Sequence, residues 1–254
     1  MKTLYIDCTA GVSGDMLLDA LKAIVKEVAG ETVEVPELVK AHTHDHEHSH
    51  EHGHDHDHEH SHEHSHDNSH GRSYEEVKHL IGHTADAGVP EGARQYALNI
   101  YSVIAKAEAS VHGMTLETVH FHEVGRDQAI QNAVGIGMAL DKLGFDPRPG
   151  RSAGRIVVSP IYDGKGFVDC AHGRIPVPVP AVRAMMEECR YDFRTAEDVE
   201  TEMVTPSGLA AIIGIGAEPA ERGVAIMGSI IAETEATGTR DTGRGGLRVY
   251  MIED

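Results

Sequence analysis

The stretch DCTAGVSGDM, residues 7–16, joins two unlike hydrophobic patterns and therefore decides the kind of fold. Residues 2–8 alternate well enough between apolar and polar side chains to predict a short strand. Residues 15–28 carry apolar side chains at helical spacing, which predicts a helix with one buried face. The glycines between them predict a tight turn. We therefore expect a strand–turn–helix unit at the start of an α/β fold.

This glycine turn also has a chemical interpretation. Backbone N–H groups at the start of a helix bind anions such as phosphate, and here Ser13 and Gly14 would provide them. Asp7 and Asp15 bracket the turn and could hold a cation beside that anion. The turn lacks the lysine of a Walker loop. Taken alone, the pattern favours a simple tight turn with Asp15 near a helix N-terminus.

The rest of the chain divides into a helical first half and a second half that consists mainly of strands. Ser73 and Glu76 have the spacing of a capping box, which predicts a helix from there to about residue 87. The combination indicates an α/β (α+β) fold, with one main domain at residues 1–41 and 71–254. Further helices are predicted at residues 91–112, 127–143, 181–188 and 207–213, and strands at residues 155–162, 166–171, 224–236 and 246–253.

Residues 42–70 interrupt this domain with a histidine tract that holds fourteen of the twenty histidines. Its low complexity predicts a disordered insert. Neutral imidazole is a preferred ligand of Ni(II), Zn(II), Cu(II) and Co(II), so the tract is interpreted as a metal store rather than a catalyst. A plain linker and an artificial tag are the alternatives. The predicted ligands are His44, His46, His48, His50, His52, His54, His56, His58, His60, His62, His64 and His66.

Composition narrows the class of protein. A hydrophobic fraction of 40% can fill a real core, whereas a net charge of −19 argues against binding to nucleic acid or to an anionic membrane. The three cysteines are far apart, which argues against a disulfide framework. The first residues lack the apolar segment of a signal peptide, and no apolar run is long enough to span a membrane. We therefore expect a cytoplasmic protein.

A second candidate metal site lies in the segment HFHEVG. His120 and His122 are two residues apart and Glu123 follows, so the three could chelate one ion on a strand or turn. The spacing is not that of the H-E-x-x-H helix motif. A surface loop with two incidental histidines is the alternative.

Two further segments carry groups that could bind a ligand. In CAHGRIPVPVPA, Cys170 and His172 could contact a soft metal or a sulfur-bearing ligand, and Arg174 could hold a carboxylate or phosphate. A rigid polyproline-like edge segment is the alternative. In MVTPSG, Thr205 and Ser207 lie at a predicted helix start, where they would bind an anion or serve as a simple cap.

Taken together, these segments resemble one known family. DCTAGVSGDM, the histidine-rich insert, VHFHEVG, CAHGRIPVPVPA, EMVTPSG and the late GTRD occur in the order and spacing of the nickel insertase of nickel-pincer nucleotide cofactor biosynthesis, the LarC type. The resemblance covers nearly the whole chain. It implies a lyase-class enzyme that inserts Ni(II) into pyridinium-3,5-bisthiocarboxylic acid mononucleotide.

The resemblance also implies cofactors and partners. Family members use CTP with Mn or Mg through a C-terminal domain, and this sequence resembles their N-terminal part. For the CTP-binding part the resemblance leaves three alternatives: a separately encoded partner, a part reached by a frameshift, or no such part. The product serves lactate racemase and related acceptor enzymes. A homo-oligomer is a further possibility. The implied site combines nickel at His120, His122 and Glu123 with nucleotide phosphate at the glycine turn, Thr205 and Ser207.

One step of the implied reaction needs a proton acceptor, because a C–H proton leaves as the Ni–C bond forms. His122, Glu123 and His172 are the candidates, and the sequence does not choose among them. In one respect the chain departs from the family pattern, since Gln128 and Asn132 stand where two aspartates usually follow HFHEVG. That departure favours the alternative function, a non-catalytic protein of nickel storage or delivery.

Overall fold

The computed structural model contains a mixed sheet flanked by helices, and it confirms the expected α/β class with a helical first half. The histidine tract and His172 lie outside the residues that the structure describes. Those residues are 1–38, 71–152, 154–170, 173–221 and 227–254.

Six helices occur within these ranges. The helix predicted at residues 91–112 has those bounds in the structure. The capping box predicted at Ser73 is formed, because the Ser73 hydroxyl accepts from the Glu76 N–H at 3.2 Å and the Glu76 carboxylate accepts from the Ser73 N–H at 2.7 Å. The Ser73 N–H and the Ser73 hydroxyl both donate to the Glu76 carboxylate, and these hydrogen bonds lower the pKa of Glu76. The helices are α1 (Gly14–Ala29), α2 (Tyr74–His83), α3 (Glu91–His112), α4 (Asp127–Lys142), α5 (Pro180–Glu188) and α6 (Pro206–Gly214).

The strands are short except at the end of the chain. The single strand predicted at residues 155–162 is divided at Pro160, because proline has no N–H with which to continue a ladder. The strands are β1 (Lys2–Asp7), β2 (Arg72–Ser73), β3 (His120–Phe121), β4 (Gly154–Val158), β5 (Ile161–Asp163), β6 (Phe167–Cys170), β7 (Gly173–Pro176), β8 (Phe193–Thr195), β9 (Glu218–Pro219), β10 (Ser229–Ala236) and β11 (Leu247–Glu253).

The main sheet has the order β10-β11-β1-β4-β9. β1 lies at its centre, parallel to β4 and antiparallel to β11. The residues between β1 and β4 include α1, α3 and α4, and these helices form a continuous core with the apolar side chains of the sheet. The first and last segments of the sequence are thus adjacent in space. Three other ladders pair β2 with β3, β5 with β8, and β6 with β7.

Helix α2 is shorter than predicted. It ends at His83, and residues 84–88 continue as tight turns that close at Gly88, whose φ is 81°. Positive φ is readily adopted by glycine, so Gly88 reverses the chain and directs it into α3. The predicted strand at residues 224–236 begins at Ser229 within the described part of the chain.

The close packing of α3 on α4 depends on Gly137. A Cβ atom at this position would lie 2.2 Å from the carbonyl oxygen of Ala93, far inside van der Waals contact. We expect Gly137→Ala to lower the free energy of unfolding by about 1–3 kcal/mol, because the two backbones must move apart. Urea titration followed by circular dichroism measures the change.

Gly82 provides the matched control, since it is also a helical glycine. A Cβ there would meet no heavy atom of the described residues within 4 Å. Gly82→Ala should therefore raise the free energy of unfolding by roughly 0.5–1 kcal/mol, the difference in helix propensity. Equal effects of the two substitutions would contradict the packing argument.

Candidate functional site

Two chain segments that are distant in sequence cross at the start of two helices. The N–H of Val12 donates to the carbonyl of Met203 at 2.9 Å, and the N–H of Thr205 donates to the carbonyl of Val12 at 3.0 Å. Gly11, with φ 86°, permits this approach, because a Cβ there would lie 2.2 Å from the Met203 carbonyl oxygen. The glycine turn of the sequence is thereby fixed against the start of α6.

The crossing brings the N-termini of α1 and α6 together. The Ser13 hydroxyl accepts from the N–H of Met16 at 3.4 Å, and the Thr205 hydroxyl accepts from the N–H of Gly208 at 3.1 Å. Both hydroxyls therefore act as N-caps. Ser207 lies 3.1 Å from Thr205, oxygen to oxygen. Two adjacent helix N-termini direct partial positive charge towards one region, which suits an anion.

A buried carboxylate holds the segment that precedes α6. Asp163 accepts hydrogen bonds from the N–H groups of Met203 at 2.8 Å and Val204 at 3.1 Å. Burial raises the pKa of this carboxyl group, although the bonds from Met203 and Val204 lower it. The second oxygen of Asp163 is buried and has no partner among the described atoms. Asp163 thus fixes the backbone on which Thr205 and Ser207 depend.

The main cavity lies beside these helix starts and has a volume of about 480 Å³. Its described walls come from the end of α3, the bend after β3, the end of β6, the start of α6 and the loop before β11. Carboxylates outnumber cations here, which suits a divalent metal ion. The polar and charged lining residues are Glu108, His112, His122, Glu123, Asp169, Cys170, Glu202, Thr205, Ser207 and Arg240.

Five of the residues predicted from sequence meet in this cavity. They come from three separate segments, and their side chains offer imidazole, carboxylate, thiol and hydroxyl groups. The Cys170 thiol is partly exposed and donates to the carbonyl of Gly173 at 3.5 Å. By contrast, Cys8 is fully buried, and burial raises the pKa of its thiol. The five are His122, Glu123, Cys170, Thr205 and Ser207.

Three more predicted residues lie at the edge of this region. Ser13 and Asp15 line a neighbouring cavity of about 100 Å³ that shares Thr205 and Arg240 with the main one. Gly14 faces α6, since a Cβ there would lie 3.3 Å from the Ser207 hydroxyl. The glycine turn and the start of α6 therefore border one continuous region.

Other predicted residues lie elsewhere. Asp7 accepts from the N–H of Thr9 at 3.0 Å, and the guanidinium of Arg174 lies 4.8 Å from the centre of the Phe167 ring. His120 does not line the main cavity, and its Nδ1–H donates to the carbonyl of Thr118 at 2.6 Å. β3 ends at Phe121, between His120 and His122, and of the two histidines His122 alone lines the main cavity.

Sequence reasoning missed five polar or charged residues of the cavity, which are Glu108, His112, Asp169, Glu202 and Arg240. Glu108 and His112 are one turn apart at the end of α3, with His112 Nε2 3.3 Å from a Glu108 oxygen. This spacing was the available signal, although it is also common on solvent-exposed helices. Arg240 belongs to the GTRD segment and pairs with Glu202, which is 11% exposed. The residues around Arg240 in the sequence do not indicate that its side chain lines the cavity.

Gln128 and Asn132, the two amides at positions where the family resemblance implies aspartates, lie at the start of α4. The side-chain N–H of Gln128 donates to the side-chain oxygen of Asn132 at 2.9 Å. Neither residue lines the main cavity. The two amide side chains are thus hydrogen-bonded to each other at the surface of α4.

The histidine tract joins the described fold next to this site. Directly after the tract, Gly71 packs on the backbone of Phe121, because a Cβ at Gly71 would lie 2.2 Å from the Phe121 carbonyl oxygen. β2 then pairs with β3, with Arg72 opposite Phe121 and Ser73 opposite His120. The anchoring point of the tract is consequently one residue from the cavity wall at His122.

Within the described residues, no group of three or more His, Cys, Asp and Glu side chains is arranged to hold a metal ion. The main cavity supplies side chains of types that metal ions bind, among them His122 and Cys170. In the part of the chain that is described, no helix has both the length and the apolar character needed to cross a membrane.

Comparisons with known proteins agree on one family. A family model described as nickel insertion protein matches residues 4–251. A pyridinium-3,5-bisthiocarboxylic acid mononucleotide nickel insertion protein from Acetivibrio thermocellus is 34% identical over 220 residues, covering 84% of this chain and 51% of its own length. A protein of the same name from Lactiplantibacillus plantarum is 34% identical over 84% of this chain and 52% of its own. The chain thus spans about half the length of the curated relatives it matches. No solved structure matches the chain.

Proposed function

Because the chain belongs to the nickel insertion protein family, we propose that it inserts Ni(II) into pyridinium-3,5-bisthiocarboxylic acid mononucleotide. The observation that carries this proposal is the main cavity. It gathers His122, Glu123 and Cys170 beside the hydroxyls of Thr205 and Ser207. Metal-binding side chains and an anion-binding helix start thus face one space, as a nucleotide that receives a metal requires.

The proposed reaction forms one Ni–C bond and two Ni–S bonds, and a proton leaves the ring carbon. Nickel accepts imidazole and sulfur ligands, so His122 and Cys170 can hold it until the substrate sulfurs replace them. The leaving proton needs a base in the cavity. His122 and Glu123, which line the cavity, are two candidates, and His172, which lies outside the described residues, is the third.

The nucleotide phosphate would bind where α1 and α6 begin. The N-termini of these helices provide N–H groups and partial positive charge. Arg240 adjoins both cavities and pairs there with Glu202. A phosphate bound at Thr205 and Ser207 could therefore attract the Arg240 guanidinium from its partner. Ser13, Gly14 and Asp15 would form the other side of this subsite.

The histidine tract would supply the metal. Its interchangeable ligands can concentrate nickel but cannot orient it, whereas insertion needs one site that aims the ion at the substrate. The covalent connection through Gly71 to the ladder of β2 and β3 supports delivery into the cavity. Five further proposals rest on the family resemblance. They are CTP with Mn or Mg as cofactors, a separate CTP-binding part, a racemase-type acceptor enzyme, a homo-oligomer and a cytoplasmic location.

A nickel storage or delivery protein is the second candidate function. Gln128 and Asn132 favour it, since their neutral amides bond to each other and offer no carboxylate for a cation. Under this alternative the tract and cavity would bind nickel without forming a Ni–C bond. The test is nickel transfer to the mononucleotide, assayed with the chain alone and with the CTP-binding half of a relative, CTP and Mn. Nickel binding without transfer in both assays would favour storage.

We expect deletion of residues 42–70 to slow transfer at limiting nickel but not at saturating nickel, because the tract concentrates the metal and the cavity uses it. Cooperative thermal unfolding should persist, since the segment has almost no apolar side chains to bury. Rates over a series of buffered nickel concentrations measure the effect. An equal loss of rate at every concentration would assign the tract a direct part in the transfer.

A further inference from the structure

Helix α2 carries two histidines on its exposed side, away from the main cavity. His79 and His83 are one turn apart, and both side chains are open to solvent. The opposite side of the helix buries Val77, Leu80 and Ile81 in the core. The core therefore fixes the rotation of the helix and presents the two imidazoles together at the surface.

The distance between the two rings suits a shared metal ion. His79 Nε2 lies 3.1 Å from His83 Nε2. With metal–nitrogen bonds of about 2.1 Å, two nitrogens at this separation subtend about 95° at the ion. Adjacent ligands of a tetragonal Ni(II) or Cu(II) site are related by about 90°. A single ion can thus bind both nitrogens without a change in the backbone.

Asp86 contacts the His83 ring and favours the tautomer that can bind a metal through Nε2. An Asp86 oxygen lies 3.3 Å from His83 Nδ1, and the N–H of Asp86 donates to the His83 carbonyl at 3.1 Å. Because a carboxylate accepts, the proton of a neutral His83 ring is drawn to Nδ1. The lone pair is then on Nε2, the nitrogen that faces His79. Carboxylates that fix a histidine in this way are common behind metal ligands.

From these contacts we propose that His79 and His83 form a two-nitrogen site for Ni(II) on α2. Asp86 is its positioning residue, and water completes the coordination. In the metal-free protein the short Nε2 separation is a hydrogen bond from His79 Nε2–H to His83 Nε2. When the ion binds, the His79 proton moves to Nδ1 by exchange with water, so each neutral ring keeps one proton and no net proton is released. The site begins six residues after the Ser73 cap and is independent of the insertion reaction.

Hydrogen–deuterium exchange of the full chain tests the proposal, because it reports on α2 separately from the tract. Free nickel is set with a metal buffer, so uptake by the tract does not change it. At free nickel ten times the dissociation constant, exchange in the last turn of α2 should slow by about 11-fold, since the ion binds the closed turn alone. His79→Gln and His83→Gln should each abolish the slowing.

Lys78→Gln is the matched control, since it alters an exposed charge on the same helix and removes no ligand nitrogen. It should retain the full slowing. Asp86→Asn should raise the nickel concentration for half-maximal slowing by about tenfold. Slowing that survives in both histidine variants would overturn the proposal, because the effect would then originate elsewhere. No slowing in the unaltered chain at any soluble nickel concentration would overturn it as well.

Discussion

Replacement of His122 by alanine is expected to lower the rate of nickel transfer by about 10²–10⁴-fold, the range for loss of a positioned proton-transfer group. His122 lines the main cavity together with Glu123, Cys170 and Ser207. The substitution removes an imidazole that can hold nickel or accept the ring proton. Transfer to the mononucleotide at saturating nickel is the measurement, made under the conditions of the transfer assay described under the proposed function.

His120→Ala is the matched control, two residues earlier in the same segment. His120 is exposed, bonds to the Thr118 carbonyl and does not line the cavity. This variant should keep most of the transfer rate. An equal loss in both variants would mean that the two histidines act as one chelating pair. If His122→Ala transfers nickel at the normal rate, His122 has no direct role, and Cys170 and His172 become the next candidates for it.

A series of free nickel concentrations on the same variants separates two roles of His122. If its imidazole accepts the ring proton, His122→Gln should lower the maximal rate while the nickel requirement stays the same. If it holds the metal, the variant should instead need more free nickel to reach its maximal rate. Either result supports a direct role, whereas an unchanged maximal rate and nickel requirement would contradict one.

Local signals predicted most of the fold, because each depends on neighbouring residues. Helix α3 was predicted with its observed ends, since Pro90 precedes its first residue and Gly113 permits the positive φ that ends it. The capping box at Ser73 was equally local. Strand order was not predictable, because the pairing of β1 with β11 joins residues at opposite ends of the chain.

The site was predictable in its residue types but not in its geometry. His122, Cys170 and Ser207 were selected one motif at a time, and folding brings them to one cavity. The pairing of His120 with His122 was predicted for a strand or a turn, and in the structure the chain bends after β3, so that His122 lines the cavity and His120 does not. Glu108 was missed, because a charged residue near a helix end usually indicates a solvent-exposed surface.

The contact between the two helix starts supports a prediction about both stability and binding. A Cβ on Gly208 would lie 2.3 Å from the carbonyl oxygen of Val12 and 2.7 Å from the Cα of Ser13. Both neighbours are backbone atoms, so a side-chain rotation cannot relieve the clash. Gly208→Ala should therefore separate α6 from the glycine turn and lower the free energy of unfolding by about 1–3 kcal/mol.

The same substitution should weaken binding of the mononucleotide, because two helix starts that move apart no longer direct their N–H groups at one phosphate. Gly14→Ala is the comparison variant, since it alters the same contact between the helix starts with a milder clash. Its Cβ would meet the Ser207 hydroxyl at 3.3 Å, and that side chain can move. The loss of stability and affinity should therefore be smaller than in Gly208→Ala. The measurements are urea unfolding and equilibrium binding of the mononucleotide, made well below the unfolding temperature. If the Gly208→Ala protein is destabilised but binds the mononucleotide normally, the contact between the two helix starts is not needed for phosphate binding. The anion would then have to bind at another part of the cavity.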